Sequence, residues 1–364
     1  MIKRIAIIAS LSAFIISCST TYSVKLLKPA EVNLAPIKKV AVMDFRFKGG
    51  WDNKKKPYTI PGVAVEILKK HLGIKHKLHY PGKAVSGRLI TDLVQNGHYT
   101  VVERNQLQKV MAEQQLSLSG AIDENQAVQI GKLAGVEALI LGGGGYTIKD
   151  IGKWEEKKIK DENDQERKVP MYKAIRKVDL QLTYRIVNVT TGEIIASRNL
   201  TWSNYSESGS TARYSDFATD SIKANAIRNI PAWKPIVDRL VSRTTAQIVK
   251  QIAPHYVVRR KKIENGKTPG MKAAIKYVKR NMWDDAKQSW EMVLQDRSEK
   301  AAKDHVSARY NLGIYYEIND DLDKAEQLFD QCFKQSGKDK YLNAKANVQR
   351  RRIELQKLEE QINE

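Results

Sequence analysis

The chain has 364 residues, 42% of them hydrophobic and 28% charged, which excludes an intrinsically disordered protein and allows two or three domains. Lys and Arg outnumber Asp and Glu by 62 to 41, a net charge of +21 that directs attention to anionic partners: nucleic acid, lipid headgroups or acidic cell-wall polymers. Two cysteines, Cys18 and Cys332, are too few for a disulfide framework.

The first seventeen residues combine Lys3 and Arg4 with the apolar run IAIIASLSAFII. That run is too short for a permanent membrane helix and reads as an export signal. Ile15-Ile16-Ser17-Cys18 resembles the lipobox of bacterial lipoproteins, with Ile15 in place of the usual Leu. The resemblance implies cleavage before Cys18, diacylglyceryl attachment to its sulfur and, in many species, an added N-acyl chain; several buried acyl chains anchor stably where one does not. Ser19 is not the Asp that often retains lipoproteins at an inner membrane, so the expected site is the outer membrane, with the domains in the periplasm. Residues 18–36, polar and punctuated by Pro29 and Pro36, are expected to be a lipidated tether. Export also removes nucleic acid from the expected partners.

Residues 37–256 carry an α/β pattern. KKVAVMDF reads as a first strand, and Gly49 onward to Pro61 as loop. Val63, Ile67, Leu68 and Leu72 suggest a short helix before a basic loop holding His71, His76 and His79; without a nearby carboxylate or thiol these histidines are expected to be solvated rather than metal ligands. Val85, Leu89, Ile90, Leu93 and Val94 form a helical stripe closed by Gly97. From Tyr99 a strand–helix–helix–strand unit follows. TVV is its first strand, and Asn105 and Asp123 open its helices. Ala127, Ile130, Leu133 and Ala134 form the second helix's stripe, Gly135 ends it, and ALIL is a strand buried on both faces. Residues 149–177 are mostly charged and are expected to be an insert between strands. VDLQLTYRIVNV and EIIASRNLTW alternate around Thr191-Gly192 as a hairpin. Residues 203–223 are Ser/Thr-rich and weakly patterned. Ile236, Leu240, Ile248 and Ile252 stripe a closing helix stopped at Pro254.

Four segments together, VAVMDF, VVERNQLQKVMAEQQLSLSG, IGKLAGVEALILGGGGY and VDLQLTYRIVNVTTGEIIASRNLTW, resemble the CsgG family, the curli-secretion lipoproteins of diderm bacteria. The resemblance implies an α/β (α+β) domain, a mostly antiparallel sheet flanked by helices, on the periplasmic face of the outer membrane. In the family's secretion channels, rings of subunits each donate two β-hairpins to one membrane barrel. A barrel hairpin needs alternating apolar residues facing lipid. The corresponding stretches here hold WEEKKIKDENDQERK and SNYSESGSTARYSDFATDSIK, which lack that alternation. Fold and location are therefore expected to carry over, and the pore is not.

Residues 257–268 read as a basic linker, and residues 269–364 as an all-α helical repeat domain. Ala308, Leu312, Gly313, Tyr316, Ala325 and Phe329 stand at the spacing of a tetratricopeptide repeat (TPR), and Ala274, Tyr277, Ala286 and Trp290 resemble an earlier copy. Its expected core is Ala286, Trp290, Leu312, Gly313, Tyr316, Ala325 and Phe329, with Cys332 as a small core residue and residues 341–364 as a charged capping helix. Such helix pairs bury their apolar faces only by stacking, and their grooves take peptides or proteins.

No catalytic spacing is present. Gly142 to Gly145 follow a strand, but no Gly-Lys-Ser/Thr or helix receives a phosphate, so they are expected to allow close packing or a bend. The expectation is a non-enzymatic, Cys18-anchored lipoprotein without cofactor or metal. It would act as a periplasmic scaffold or assembly factor in envelope biogenesis or export, with protein partners on the TPR-like domain and homo-oligomerisation left open. The alternatives are a CsgG-type secretion channel subunit and an activator of a cell-wall synthase.

Overall fold

The computed structural model describes residues 20–52, 81–103, 109, 124–160, 164–211 and 219–363. In chain order these form β1 (Thr20–Lys28), β2 (Lys39–Val42), β3 (Arg46–Trp51), α1 (Gly82–Asn96), β4 (Thr100–Val101), α2 (Glu124–Ala134), β5 (Ala138–Lys160), β6 (Glu166–Asn188), β7 (Ile194–Thr211), α3 (Thr219–Arg228) and α4 (Lys234–Ile252). There follow β8 (His255–Ile263), α5 (Pro269–Val278), α6 (Trp283–Gln295), the short α7 (Glu299–Ala302), α8 (His305–Ile318), α9 (Leu322–Ser336) and α10 (Asp339–Asn363). They divide into two units, one of residues 30–254 and one that joins residues 20–29 to residues 255–363.

The first unit is built on a six-stranded mixed sheet in the order β4-β2-β5-β6-β7, with β3 also on β5. β2 pairs in parallel with β4 and β5, and β3 in parallel with β5, whereas β5–β6 and β6–β7 are antiparallel. Val40, Ala41 and Val42 of β2 and Ala138 to Leu141 of β5 are buried in succession because helices cover both faces at this end. On one face α1 and α4 lie over Val178, Leu180, Leu182, Tyr184 and Ile186, the alternating set of β6. Tyr184 Oη donates to Gln251 Oε1 at 2.8 Å and Tyr99 Oη donates to the Ile252 carbonyl, pinning the end of α4. On the other face α2 lays Ala127, Ile130 and Ala134 against Met43, Leu139 and Val187. Leu133, expected in that stripe, is 52% exposed, and Val94 of α1 also faces out. At 3.6 residues per turn, both fall outside the buried arc of their helix.

The principal departure lies in residues 149–177. They are no insert, since β5 and β6 continue in unbroken register from Ala138↔Asn188 to Lys160↔Glu166, each 23 residues long and about 75 Å at the usual rise. β7 follows β6 out to Thr211, through part of the stretch expected to be weakly patterned. Charged residues are compatible with these strands because they pair across them: Lys158 with Glu166 at 2.9 Å, Lys168 with Glu156 at 2.9 Å, and Lys173 with Glu207 at 2.8 Å. α3 covers one face of this extension, placing Ile222 and Ala226 against Tyr172 and Ala174. Beneath it Arg176 makes a two-point pair with Asp150, both contacts 2.8 Å, donates to the Pro231 carbonyl at 2.9 Å and lies 4.9 Å over the Trp51 ring. Trp51 belongs to β3, where the expectation was loop.

The second unit corrects two expectations at once. Residues 20–28, expected within a tether, and residues 255–263, including most of the expected basic linker, form an antiparallel ribbon from Thr20↔Ile263 to Lys28↔His255. The helices of residues 269–363 are as expected, and the ribbon joins them as part of the same unit. The ribbon's inner face supplies Val24, Leu26 and Ile263, and Tyr22 meets Trp283 edge-on at 6.4 Å. The helices stack α5 on α6, α6 on α8, α8 on α9 and α9 on α10. Asn311 fastens the chain after β8 by accepting from the Glu264 amide and donating to its carbonyl, both at 2.8 Å. Asp304 accepts from the Lys267 and Thr268 amides, each 2.8 Å, before α5 begins. Arg351 of α10 reaches Asp320 at 2.9 and 3.0 Å and the Leu27 carbonyl of β1 at 2.6 Å.

Candidate functional site

Among the described residues no group of His, Cys, Asp and Glu is placed to hold a metal ion, and no helix is long and apolar enough to cross a membrane. His71, His76 and His79, Cys18, and the helix expected from Asn105 lie outside the described residues. The described molecule offers instead a tyrosine-bearing surface on the helical unit, a cleft over the glycine run of β5, and the β5–β6–β7 extension.

The expected repeat-core residues meet in one cluster. Ala286 and Trp290 come from α6, Leu312 and Gly313 from α8, Ala325 and Phe329 from α9, with Tyr316 half-buried at its edge. A Cβ on Gly313 would stand 2.4 Å from Phe329 Cε1, so its absence lets α9 approach α8. Cys332 is fully buried, and burial pushes its thiol up to about 12, which keeps it protonated and unreactive.

At the edge of this cluster Tyr315 and Tyr316 pack edge to face, 5.3 Å apart. Tyr315 Oη donates to Asp284 Oδ1 at 2.6 Å, and this bond, more than burial, raises its phenol to about 12. Lys287 lies 5.9 Å over Tyr315, and Lys324, itself paired with Asp321 at 2.6 Å, lies 5.1 Å over Tyr316. The result is a rigid aromatic pair framed by both charge signs on three helices, a composition suited to protein contact. Sequence spacing identified Tyr316 but not Tyr315, which carries the polar bond.

In the sheet unit a cleft of about 500 Å³ is lined by Asp44, Arg46, Gly142, Gly143, Thr183 and Arg185, among others. The glycines are inside β5. A Cβ on Gly142 would sit 2.1 Å from Phe45 Cε1, and one on Gly144 1.9 Å from the Gln181 carbonyl oxygen. Close approach of neighbouring backbone and ring explains this part of the run, and no phosphate loop is formed. The cleft brings together two guanidinium groups and a carboxylate without a nucleophile–base pair among the described residues.

The described residues thus form a mixed α/β unit and a ribbon-plus-helix unit. Residues 53–144 match the family described as "Curli production assembly/transport component CsgG". Residues 272–357 match a second family, described as a domain of unknown function, DUF6340. Neither match reaches half the chain. The described part of the first spans α1, β4, α2 and the start of β5, and it leaves the hairpin segment VDLQLTYRIVNV outside. No curated protein matches the chain. Among solved structures the chain is similar to the LpoB C-terminal domain from Salmonella enterica, at 16% identity over 46% of this chain and 83% of that one, with a TM-score of 0.23. It is similar to the PelC dodecamer from Paraburkholderia phytofirmans at 11% identity, 65% and 99% coverage and a TM-score of 0.25. It is also similar to lipoprotein GNA1162 from Neisseria meningitidis at 10% identity, 53% and 96% coverage and a TM-score of 0.19. Likenesses this distant assign no function to the chain.

Proposed function

We propose that this chain is a non-catalytic lipoprotein of the cell envelope, anchored to the outer membrane through Cys18, that serves as a periplasmic scaffold or assembly factor. The observation that carries this reading is the match of residues 53–144 to a family described by an assembly and transport component, downstream of a lipobox-like Ile15-Ile16-Ser17-Cys18. The helix pairs α5–α6 and α8–α9, with TPR-like residues at their contacts, supply the protein-binding module, and its contact surface is the Tyr315–Tyr316 pair. A photo-crosslinking residue at Tyr316 in intact cells should give a discrete adduct with an envelope protein. Absence of any adduct there, with the protein at normal abundance, contradicts the scaffold reading.

A channel subunit is the second reading, and one observation favours it: residues 149–160 and 166–177 pair as two regular antiparallel strands long enough to cross a bilayer. The side chains argue the other way. One face of its outer half carries Ile151, Lys153, Glu155 and Lys157 opposite Ile175, Lys173, Met171 and Val169, the other Asp150, Gly152, Trp154 and Glu156 opposite Arg176, Ala174, Tyr172 and Pro170, so charged residues interrupt both faces. The purified acylated protein should show no conductance in planar bilayers, and stable unitary steps would establish the channel. Activation of a cell-wall synthase is a specific form of the scaffold role, and the crosslinked partner's identity distinguishes it.

A further inference from the structure

The ribbon of β1 and β8 has an outer face that nothing in the helical unit uses. Registered pairs alternate sides, so Tyr22, Val24, Leu26 and their partners face inward, and the opposite side carries Thr21/Lys262, Ser23/Arg260, Lys25/Val258 and Leu27/Tyr256. Tyr256 is 70% exposed and Val258 63% exposed. Neither strand contains an acidic residue, and among the described residues Lys25, Arg260 and Lys262 form no ion pair. By contrast Lys28 and Lys261 pair inward with Glu354 and Glu317. Lys25, Arg260 and Lys262 on the outer side stand as a net positive row. Exposed Tyr and Val beside unpaired Lys and Arg match the chemistry of a bilayer interface, where phosphate oxygens meet cations and aromatic rings settle among headgroups.

Position gives the occupant. β1 begins at Thr20, two residues after Cys18, so an acyl chain on Cys18 would hold the first ribbon residue within about 7 Å of the anchored Cα. The Thr20 end of the ribbon is also the end carrying Lys262 and Arg260; Tyr256 lies toward the far end of a strand pair about 30 Å long. No long tether intervenes.

We infer that the outer face of the β1–β8 ribbon is a second, electrostatic membrane contact, lying against anionic phospholipid headgroups beside the acyl anchor. This rests on the Cys18 anchor proposed above and adds an orientation to it: the ribbon is held against the bilayer by its Lys and Arg row.

The test uses the full acylated protein reconstituted in vesicles, with an environment-sensitive probe on Val258→Cys; acylated Cys18 and buried Cys332 do not compete for the label. In phosphatidylglycerol vesicles the probe should lose most of its accessibility to an aqueous quencher, whereas in neutral phosphatidylcholine it should stay accessible. A probe on Met292→Cys, exposed on α6, should stay accessible in both. The variant K25E/R260E/K262E, or about 1 M salt acting on the unaltered protein with its Debye length near 3 Å, should restore quenching at Val258. Equal accessibility of Val258 in the two lipids overturns the inference. So does shielding in lipid-free detergent, which would mean a second copy covers the face. Flotation with phosphatidylcholine vesicles reads the acyl anchor alone, so failure there counts against the anchor and not against the ribbon.

Discussion

Trp290 shows how the helical core depends on single side chains. It is fully buried among Met271, Ala274, Phe329 and their neighbours, and its indole nitrogen has no hydrogen-bond partner. Its contribution is therefore apolar packing, and Trp290→Ala should cost about 3–5 kcal/mol in chemical denaturation. Gly313→Ala forces its new methyl onto the Phe329 ring and should cost about 1–3 kcal/mol by the same measurement. Both positions were readable from sequence because repeat spacing reports a contact between helices. Tyr315 was not, because what distinguishes it is a bond to Asp284, 31 residues earlier, and no local pattern encodes that pair. Cys332 should resist thiol reagents in the native protein and react only on unfolding, since its thiol remains protonated far above neutral pH.

At the level of elements, alternation in residues 178–188 made the inner half of β6 plain, and charge concealed its outer half. Strand signals depend on one apolar face, and in this extension lysine and glutamate interrupt the few apolar residues, such as Tyr172 and Ala174, that mark it. Its stability comes from cross-strand pairs, from α3 and from Arg176. Arg176→Ala strands the half-buried Asp150 carboxylate and should cost about 1–3 kcal/mol. Faster amide exchange should be confined to residues 149–160 and 166–177. Between α9 and α10, Asp330 accepts from Lys334 at 2.7 Å and Lys345 at 2.8 Å, and these two bonds hold its carboxyl at about 2 against an ordinary 3.8. A depressed carboxyl stabilises the fold above its unfolded value and loses that contribution as protons bind. Asp330→Asn should therefore be less stable than the natural chain at neutral pH. The difference should shrink from about pH 4 downward and vanish near pH 2.

Across the whole molecule, chain order and spatial order part company. Sequence patterning gave helices to residues 269–363, but it assigned residues 20–28 to a tether because a short Thr- and Lys-containing strand has no signature apart from its partner, and that partner begins at residue 255. Deleting residues 20–28 should remove the buried Val24 and Leu26 and the carbonyl that Arg351 uses, destabilising the helical unit by roughly 3–6 kcal/mol from the two apolar residues. Its melting, followed by helical circular dichroism, should shift down although no helix has been altered. The same strand begins two residues after Cys18, so the proposed function and the proposed orientation both rest on the anchor proposed there. Mass spectrometry of the membrane-fraction protein, beside a Cys18→Ala variant, tests that anchor most directly. The expected result is a mature N-terminal peptide that begins at Cys18 and carries diacylglycerol, and a variant released from membranes. An unmodified N-terminus, or a variant that fractionates unchanged, would contradict it.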